Sequence, residues 1–233
     1  IISFPVGGED RLWNIGGGTD VWYTTDGVDW TQATATAQYG ANTLFGLVRF
    51  NDGTDKMWVI GGSVGGTAQN DVWYSTDGVD WTEATAAAQW SIRNRLRSAV
   101  FSVGGENRMW VIGGLETGDI CSGAGDNFCN DVWYSTDGAN WTQATANASW
   151  EARDTSGVTT HIVDGKERMW IIGGLGTAEV NNVWYTDLNT GTFEVTAAGI
   201  TVSGTIYQSN ETTVYNCNAD NLTLYVIVDG EAH

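Results

Sequence analysis

Two short segments of the sequence place a tryptophan three residues before an arginine. Trp90 precedes Arg93 in "QWSIRNR", and Trp150 precedes Arg153 in "SWEAR". An indole ring offers a flat apolar surface to a sugar ring, and a guanidinium group can bind a carboxylate through two parallel hydrogen bonds. The repeated spacing therefore indicates a site for an acidic sugar or an acidic peptide.

The same residues also have a structural interpretation, in which the tryptophan packs between repeated units and the arginine binds loop carbonyl groups. A third copy, "QYGAN", is divergent and carries Tyr39 in place of the tryptophan. Arg95 and Arg97 have no counterpart in the other copies, so they are better candidates for a specific ligand. The candidate ligand-binding residues are Tyr39, Trp90, Arg93, Arg95, Trp150 and Arg153.

The charge balance limits the possible partners. The 233 residues include only 10 Lys and Arg against 28 Asp and Glu, which gives a formal net charge of −18. Such a surface repels nucleic-acid phosphates and anionic lipid headgroups. No apolar run approaches the roughly 20 residues of a membrane span. We expect a glycan or protein partner, or further copies of the chain, and neither nucleic acid nor direct membrane insertion.

The elements that must position these residues follow from the composition and from internal repeats. With 31 Gly, one Pro and 13 Trp the chain favours turns and aromatic-rich strands, which predicts an all-β fold. The string "MWVIGG" at 57–62 recurs along the chain, and its aromatic position recurs every 45 to 60 residues. That position is occupied by Trp13, Trp58, Trp110, Trp170 and Tyr225.

A second recurring string, "DVWYSTDGVDW" at 71–81, follows the first in each unit. Asp-Gly between two strand-like runs predicts a tight hairpin turn, because both residues tolerate a positive φ. Each unit therefore contains four short strands, the pattern of one β-propeller blade. The copies of the second string lie at 20–30, 71–81 and 131–141, with a divergent fourth at 182–193.

These strings resemble kelch repeats, especially those of secreted bacterial and archaeal kelch-like proteins, over nearly the whole chain. The turn "STDGVDW" is also similar to the Asp-box hairpin of sialidases, with one residue fewer between Asp and Gly. The resemblance implies a single kelch-like β-propeller domain over 1–233. Its expected repeats are approximately 1–36, 43–87, 97–147 and 157–197, with a half-repeat at 212–230.

The half-repeat supplies the same two strands that open the chain, so the two ends do not complete one blade. The fifth blade is then two-stranded, or its missing strands come from a longer protein or from a neighbouring chain. We expect one of the last two, because an unpaired strand edge invites association. Four Asn-x-Ser/Thr sequons and the scarcity of lysine predict an extracellular or cell-surface location. Cys121 and Cys129 are close enough in sequence to form a local disulfide, with three free thiols as the alternative. The candidate glycosylation sites are Asn140, Asn147, Asn210 and Asn221.

No catalytic residues are assigned, and the function expected is non-enzymatic binding or surface assembly. The kelch-type copper oxidases need several histidine ligands, whereas this chain has only His161 and His233. The alternative is a carbohydrate-active enzyme, sialidase-like or another glycosidase, that uses the face bearing arginine and tryptophan. No cofactor is expected. Calcium is an alternative role for the turn aspartates (Asp26, Asp77 and Asp137, with Asp29 or Asp80) and for Asp119 and Asp126.

Overall fold

The computed structural model of the protein describes residues 1–116, 127–163, 165–186 and 195–197. The chain divides into two compact units, Ile1–Gly199 and Ile200–His233. The second unit, with the expected half-repeat at 212–230, lies outside the described residues. The described part is all-β and contains no helix, hence none long and apolar enough to cross a membrane.

The strands of the described residues form four antiparallel sheets, which follow one another along the chain. Sheet 1 contains β1 (Ile2–Val6), β2 (Glu9–Ile15), β3 (Val21–Thr24) and β4 (Thr31–Thr34). Sheet 3 contains β11 (Arg97–Val103), β12 (Glu106–Ile112), β14 (Val132–Ser135) and β15 (Thr142–Thr145). Sheet 4 contains β16 (Gly157–Val163), β17 (Lys166–Leu175), β18 (Glu179–Thr186) and β19 (Val195–Ala197).

Sheet 2 has the same four-stranded body with three short strands added. Its body consists of β6 (Gly46–Asn51), β7 (Asp55–Val64), β8 (Thr67–Ser75) and β9 (Thr82–Thr85). The additional strands are β5 (Asn42–Thr43), β10 (Arg93–Asn94) and β13 (Leu115–Glu116). Strands β7 and β8 are longer than β6 and β9 and extend past them. The extra length of β7 pairs with β5, and that of β8 pairs with β10, which also pairs with β13. Residues that precede sheet 3 are thereby tied to sheet 2.

Successive sheets pack face to face, and their first strands lie beside one another. Strand β6 contacts both β1 and β11, and β11 contacts β16. We call the face of each sheet that meets the next sheet its forward face, and the opposite one its rear face. This is the arrangement of consecutive blades in a β-propeller-like fold, although the described residues do not form a closed ring.

Period-two alternation along the second strand of each sheet builds these two faces. In β2, Trp13 and Ile15 are buried on the forward face of sheet 1, where they pack with Met57 and Val59 from the rear face of sheet 2. The equivalent residues of the second strands also pack together between sheets 2 and 3 and between sheets 3 and 4. Burial of each of these side chains stabilises the fold by about 1.5–3 kcal/mol, so the recurring "MW" strings form the core between sheets.

The turn of the second recurring string also belongs to these interfaces. Gly78 has φ +77°, and a methyl group placed on it would overlap the indole ring of Trp13 in the preceding sheet. Gly138 has φ +73° and lies against Trp58 in the same way. Glycine is therefore required twice at this turn, for its positive φ and for the close approach of the ring.

Candidate ligand-binding rim

Three homologous segments connect the fourth strand of one sheet to the first strand of the next. We call them the rim segments, and each contains one residue other than glycine in the left-handed region. These residues are Leu44 at φ 59°, Arg95 at φ 55° and Thr155 at φ 49°. The conformation is unfavourable for side chains of this kind, and it persists only where the surroundings fix it. The rim segments are residues 37–46, 88–97 and 148–157.

The aromatic residues of the rim segments are buried between sheets. Trp90 is 1% exposed and meets Trp141 edge to face, with ring centroids 6.0 Å apart. Tyr39 is 3% exposed and meets Trp81 in the same geometry at 4.9 Å, and burial raises the pKa of the Tyr39 hydroxyl. Trp150 is also 1% exposed. The expectation of an open aromatic platform at these three positions is therefore wrong, because each ring fills an interface between sheets.

Arg93 is fully buried and binds groups of sheet 3. Its two terminal nitrogens donate to the carboxylate of Asp131 at 2.5 and 2.9 Å, and Nη1 also donates to the carbonyl of Gly113 at 3.2 Å. Ser91 accepts from Nε and Nη2. All five guanidinium hydrogens are directed at protein acceptors, so no donor remains for a ligand.

Arg153 occupies the equivalent position at the next interface and is 2% exposed. It donates to the carbonyl of Gly173 at 3.0 Å, to Oδ1 of Asn182 at 2.8 Å and to the carboxylate of Glu151 at 2.6 Å. Burial lowers the pKa of Arg153, an effect that Glu151 opposes. Arg93 and Arg153 were candidates for ligand binding, and the structure instead makes them ties between consecutive sheets.

Arg95 and Arg97, which have no counterparts in the other copies, lie in a different environment. The Arg95 side chain is 40% exposed, and its Nη1 donates to Oδ2 of Asp154 at 3.1 Å. Nε of Arg97 donates to the carbonyl of Ser156 at 2.5 Å. Burial lowers the pKa of Arg97, and the charge of Asp154 opposes this shift. The two guanidinium groups thus share one neighbouring carboxylate.

The hydrogen bonds of Asp154 connect this arginine pair to the third rim segment. The Asp154 carboxylate is fully buried, and its Oδ1 accepts from the hydroxyl of Thr155 at 2.9 Å. The backbone of Arg95 is fixed from the other side, where its amide donates to the carbonyl of Leu44 at 2.8 Å. The strained residues of consecutive rim segments are therefore linked, and Arg95 is held in place by both neighbours.

A cavity of about 560 Å³ borders Thr155. The residues that line it are partly apolar, Leu175 and Val180, and partly polar, Glu179 and Asn181. A second cavity of about 330 Å³ shares the segment from Glu179 to Asn181 and also borders Glu151. The sequence did not single out these lining residues. The sequence did contain a signal for them, because the loop at 175–181 differs in sequence from the loops at the equivalent place in the other units.

The other expected sites fall partly within the described residues. Cys129 is disulfide-bonded, whereas its expected partner Cys121 lies outside them. Asn140 and Asn147 are exposed, and the sequons at Asn210 and Asn221 lie outside. No group of three or more His, Cys, Asp or Glu in the described part of the chain is placed to hold a metal ion; Asp119 and Asp126 lie outside that part.

The repeated aspartates accept hydrogen bonds from backbone amides of their own turns. Oδ1 of Asp77 accepts from the backbone amides of Val79 and Asp80 at 2.8 and 3.0 Å. Asp26 and Asp137 bind the corresponding amides. The amides of Val28 and then Asp29 lower the pKa of Asp26. These contacts stabilise the left-handed glycine turn that each aspartate precedes.

Comparison with known proteins supports the fold. No family model matches the chain, and no curated protein matches it. Among solved structures, 118 chains match. One, a structure of YjhT, superposes with a TM-score of 0.60 at 15% sequence identity, over 87% of this chain and 65% of that chain. The chain thus spans less than two thirds of that protein's length, and the similarity concerns the fold alone.

Proposed function

We propose that the chain is a non-enzymatic, extracellular binding module on a kelch-type β-propeller scaffold, with four full repeats and a fifth half-repeat. Its ligand is a glycan bearing a carboxylate, bound at the rim beside Arg95. The kelch-like strings support the scaffold, and the sequons with the scarcity of lysine support the location. The strongest support for the site is the contrast between the repeated arginines, which are buried, with all five donors of Arg93 occupied, and Arg95, which is partly exposed.

The charge of the rim suits a carboxylate even though the protein is strongly acidic. Arg95 and Arg97 contribute two positive charges, whereas within the described residues Asp154 is the one carboxylate that pairs with Arg95, and its charge also acts on Arg97. Arg95 uses Nη1 for Asp154. Its remaining donors include the pair that can bind a carboxylate in a bidentate geometry.

The neighbouring cavity suits the remainder of a sugar ring. Hydroxyl groups pair with amides and carboxylates, which here are supplied by Asn181 and Glu179. The C–H faces of the ring can pack on Leu175 and Val180. A volume of about 560 Å³ is within the range of small-ligand sites. Arg95 would thus select the charge of the ligand, and the cavity would select its shape.

The experiment is a glycan array that contains sialylated and uronate-terminated oligosaccharides together with their neutral parents. We expect binding to the acidic members and loss of that binding in Arg95→Ala. Binding that is equal for acidic and neutral members would contradict the proposal. Incubation of the same acidic glycans with the protein, followed by analysis of the products, tests the glycosidase alternative. Release of the terminal sugar would replace the binding module with an enzyme.

A further inference from the structure

Leu44 holds in the first rim segment the position that Arg95 holds in the second and Thr155 in the third. Because the three segments follow one another from sheet to sheet, Arg95 lies between the other two along the rim. Its amide donates to the carbonyl of Leu44 at 2.8 Å. On the other side, its guanidinium group and the Thr155 hydroxyl both donate to the carboxylate of Asp154. The rim therefore carries a row of an apolar, a cationic and a hydroxyl side chain.

Packing against the protein does not account for a leucine at position 44. Its side chain is 50% exposed, so it gains only part of the stabilisation that full burial of a leucine gives. The next residue, Phe45, makes the contacts with the interior of the interface. It packs on the core between sheets 1 and 2, and its ring lies against Gly16.

The backbone conformation does not favour a leucine either. Leu44 has φ 59°, a region that glycine and asparagine adopt far more readily than leucine does. Residues in such conformations are frequent at ligand-binding sites, where a particular side chain is needed in spite of its backbone cost. Contact with a ligand would explain an exposed leucine at this position.

The order of the row indicates the shape of that ligand. The cavity that borders Thr155 lies on one side of Arg95, and Leu44 lies on the other. If the cavity holds a sugar ring and Arg95 binds its carboxylate, a ligand that also contacts Leu44 carries an apolar group next to the carboxylate. A uronic acid has no such group, because its carboxylate is attached directly to the ring. A 1-carboxyethyl ether has one, namely a methyl group on the carbon that bears the carboxylate.

We propose that Leu44 is a specificity-determining residue that selects, among acidic sugars, those with an alkyl group on the carbon that bears the carboxylate. The inference rests on the proposed function, since Arg95 must bind the carboxylate while the alkyl group packs on Leu44. One methyl group removed from water favours such a ligand about fourfold over the analogue that lacks it.

The test compares three sugars that differ in one group at a time. They are N-acetylglucosamine, its 3-O-carboxymethyl ether and its 3-O-(1-carboxyethyl) ether, the last in both configurations at the new carbon. Calorimetric titration of the unmodified protein should give weaker binding of the neutral sugar than of either acid. One configuration of the carboxyethyl ether should bind about fourfold more tightly than the carboxymethyl ether.

Leu44→Asn is the decisive variant, because asparagine is similar to leucine in shape, is polar and suits the positive φ. It should keep the melting temperature and the preference for acids, and it should lose the fourfold preference for the methyl group. Leu44→Gly, which also suits the backbone, should lose that preference equally. The matched control is Val79→Ser, since Val79 is 40% exposed and belongs to the Asp-Gly turn of sheet 2. This control should keep both preferences.

Two results would overturn the role of Leu44 and leave the proposed function intact. One is equal affinity of the unmodified protein for the two ethers in both configurations, with the neutral sugar still weaker. The other is a methyl preference that persists in Leu44→Asn and Leu44→Gly. If the acids bind no more tightly than the neutral sugar, the proposed function itself is contradicted, and the role of Leu44 with it.

Discussion

Arg93 and Arg95 are two residues apart and belong to the same rim segment, yet they occupy opposite kinds of environment. Arg93 is fully buried and all of its donors have protein acceptors. Arg95 keeps 40% of its side chain exposed and pairs with one carboxylate among the described residues, that of Asp154. Arg93 has a counterpart in Arg153, whereas the counterparts of Arg95 are Leu44 and Thr155.

The comparison separates residues that maintain the scaffold from residues that are free to recognise a ligand. A buried arginine occupies the equivalent position at two interfaces, where it satisfies carbonyl and side-chain acceptors of the next sheet. The position of Arg95 requires a particular backbone conformation and leaves the side chain variable. In this protein, repetition therefore marks structural contacts, and departures from repetition mark candidate sites.

The largest effect that distinguishes the two arginines concerns stability. Arg93→Ala leaves the buried carboxylate of Asp131 without its guanidinium partner, and we expect the free energy of unfolding to fall by about 3–5 kcal/mol. Urea denaturation measures this change. The control is the double substitution Arg95→Leu with Asp154→Asn, which copies the Leu44 and Asn94 pair of the preceding interface. If the free energy of unfolding of the control changed by more than about 1 kcal/mol, the distinction between a structural Arg93 and a dispensable Arg95 would be contradicted.

The next effect compares the turn of sheet 2, where Trp13 lies against the glycine, with the turn of sheet 1, where no described residue does. Gly78→Ala and Gly27→Ala carry the same penalty for their positive φ, of about 1 kcal/mol. Only Gly78→Ala forces the new methyl group into Trp13, which should cost about 1–3 kcal/mol more. Thermal or urea unfolding of the two variants checks this difference, and equal losses of stability would argue against the ring contact.

A smaller effect is expected from the pH dependence of the repeated turn. The amides of Val28 and Asp29 give Asp26 a folded pKa below its ordinary value of 3.8. Because the folded pKa is lower than the unfolded one, the resulting stability is complete above pH 3.8 and is lost as the pH falls through the folded value. Asp26→Asn should flatten this part of the stability profile. An NMR titration that follows the side-chain carboxyl carbon of Asp26 gives its pKa directly. A value above 3.8 would contradict the hydrogen bonds from the amides of Val28 and Asp29.

Much of the fold could be predicted from the sequence, because its signals are local. The Asp-Gly turns and the alternating "MW" strings specify hairpins and two buried faces without knowledge of distant partners. The two-residue strands β5, β10 and β13 could not be predicted, since their pairing depends on how far β7 and β8 extend beyond the body of sheet 2.

The candidate site was harder to predict, because burial depends on partners that are distant in sequence. Arg93 binds Asp131, 38 residues away, and nothing near Arg93 reports this pairing. A signal did exist in the comparison of units. Where Asn42 replaces the arginine, Oδ1 of Asp71 in sheet 2 has no hydrogen-bond partner among the described residues, and burial raises the pKa of Asp71. The lack of counterparts alone distinguished Arg95 from Arg93, and the two differ in exposure; the role of Arg95 in ligand binding stays a prediction.

The most direct test of the central claim is a calorimetric titration of the double variant Arg95→Leu with Asp154→Asn against sialyllactose and lactose. The unmodified protein should bind sialyllactose and bind lactose at least about tenfold more weakly, in line with one charge-assisted bidentate contact. The double variant should lose this preference and keep its melting temperature. Retention of the preference for sialyllactose would contradict recognition by Arg95.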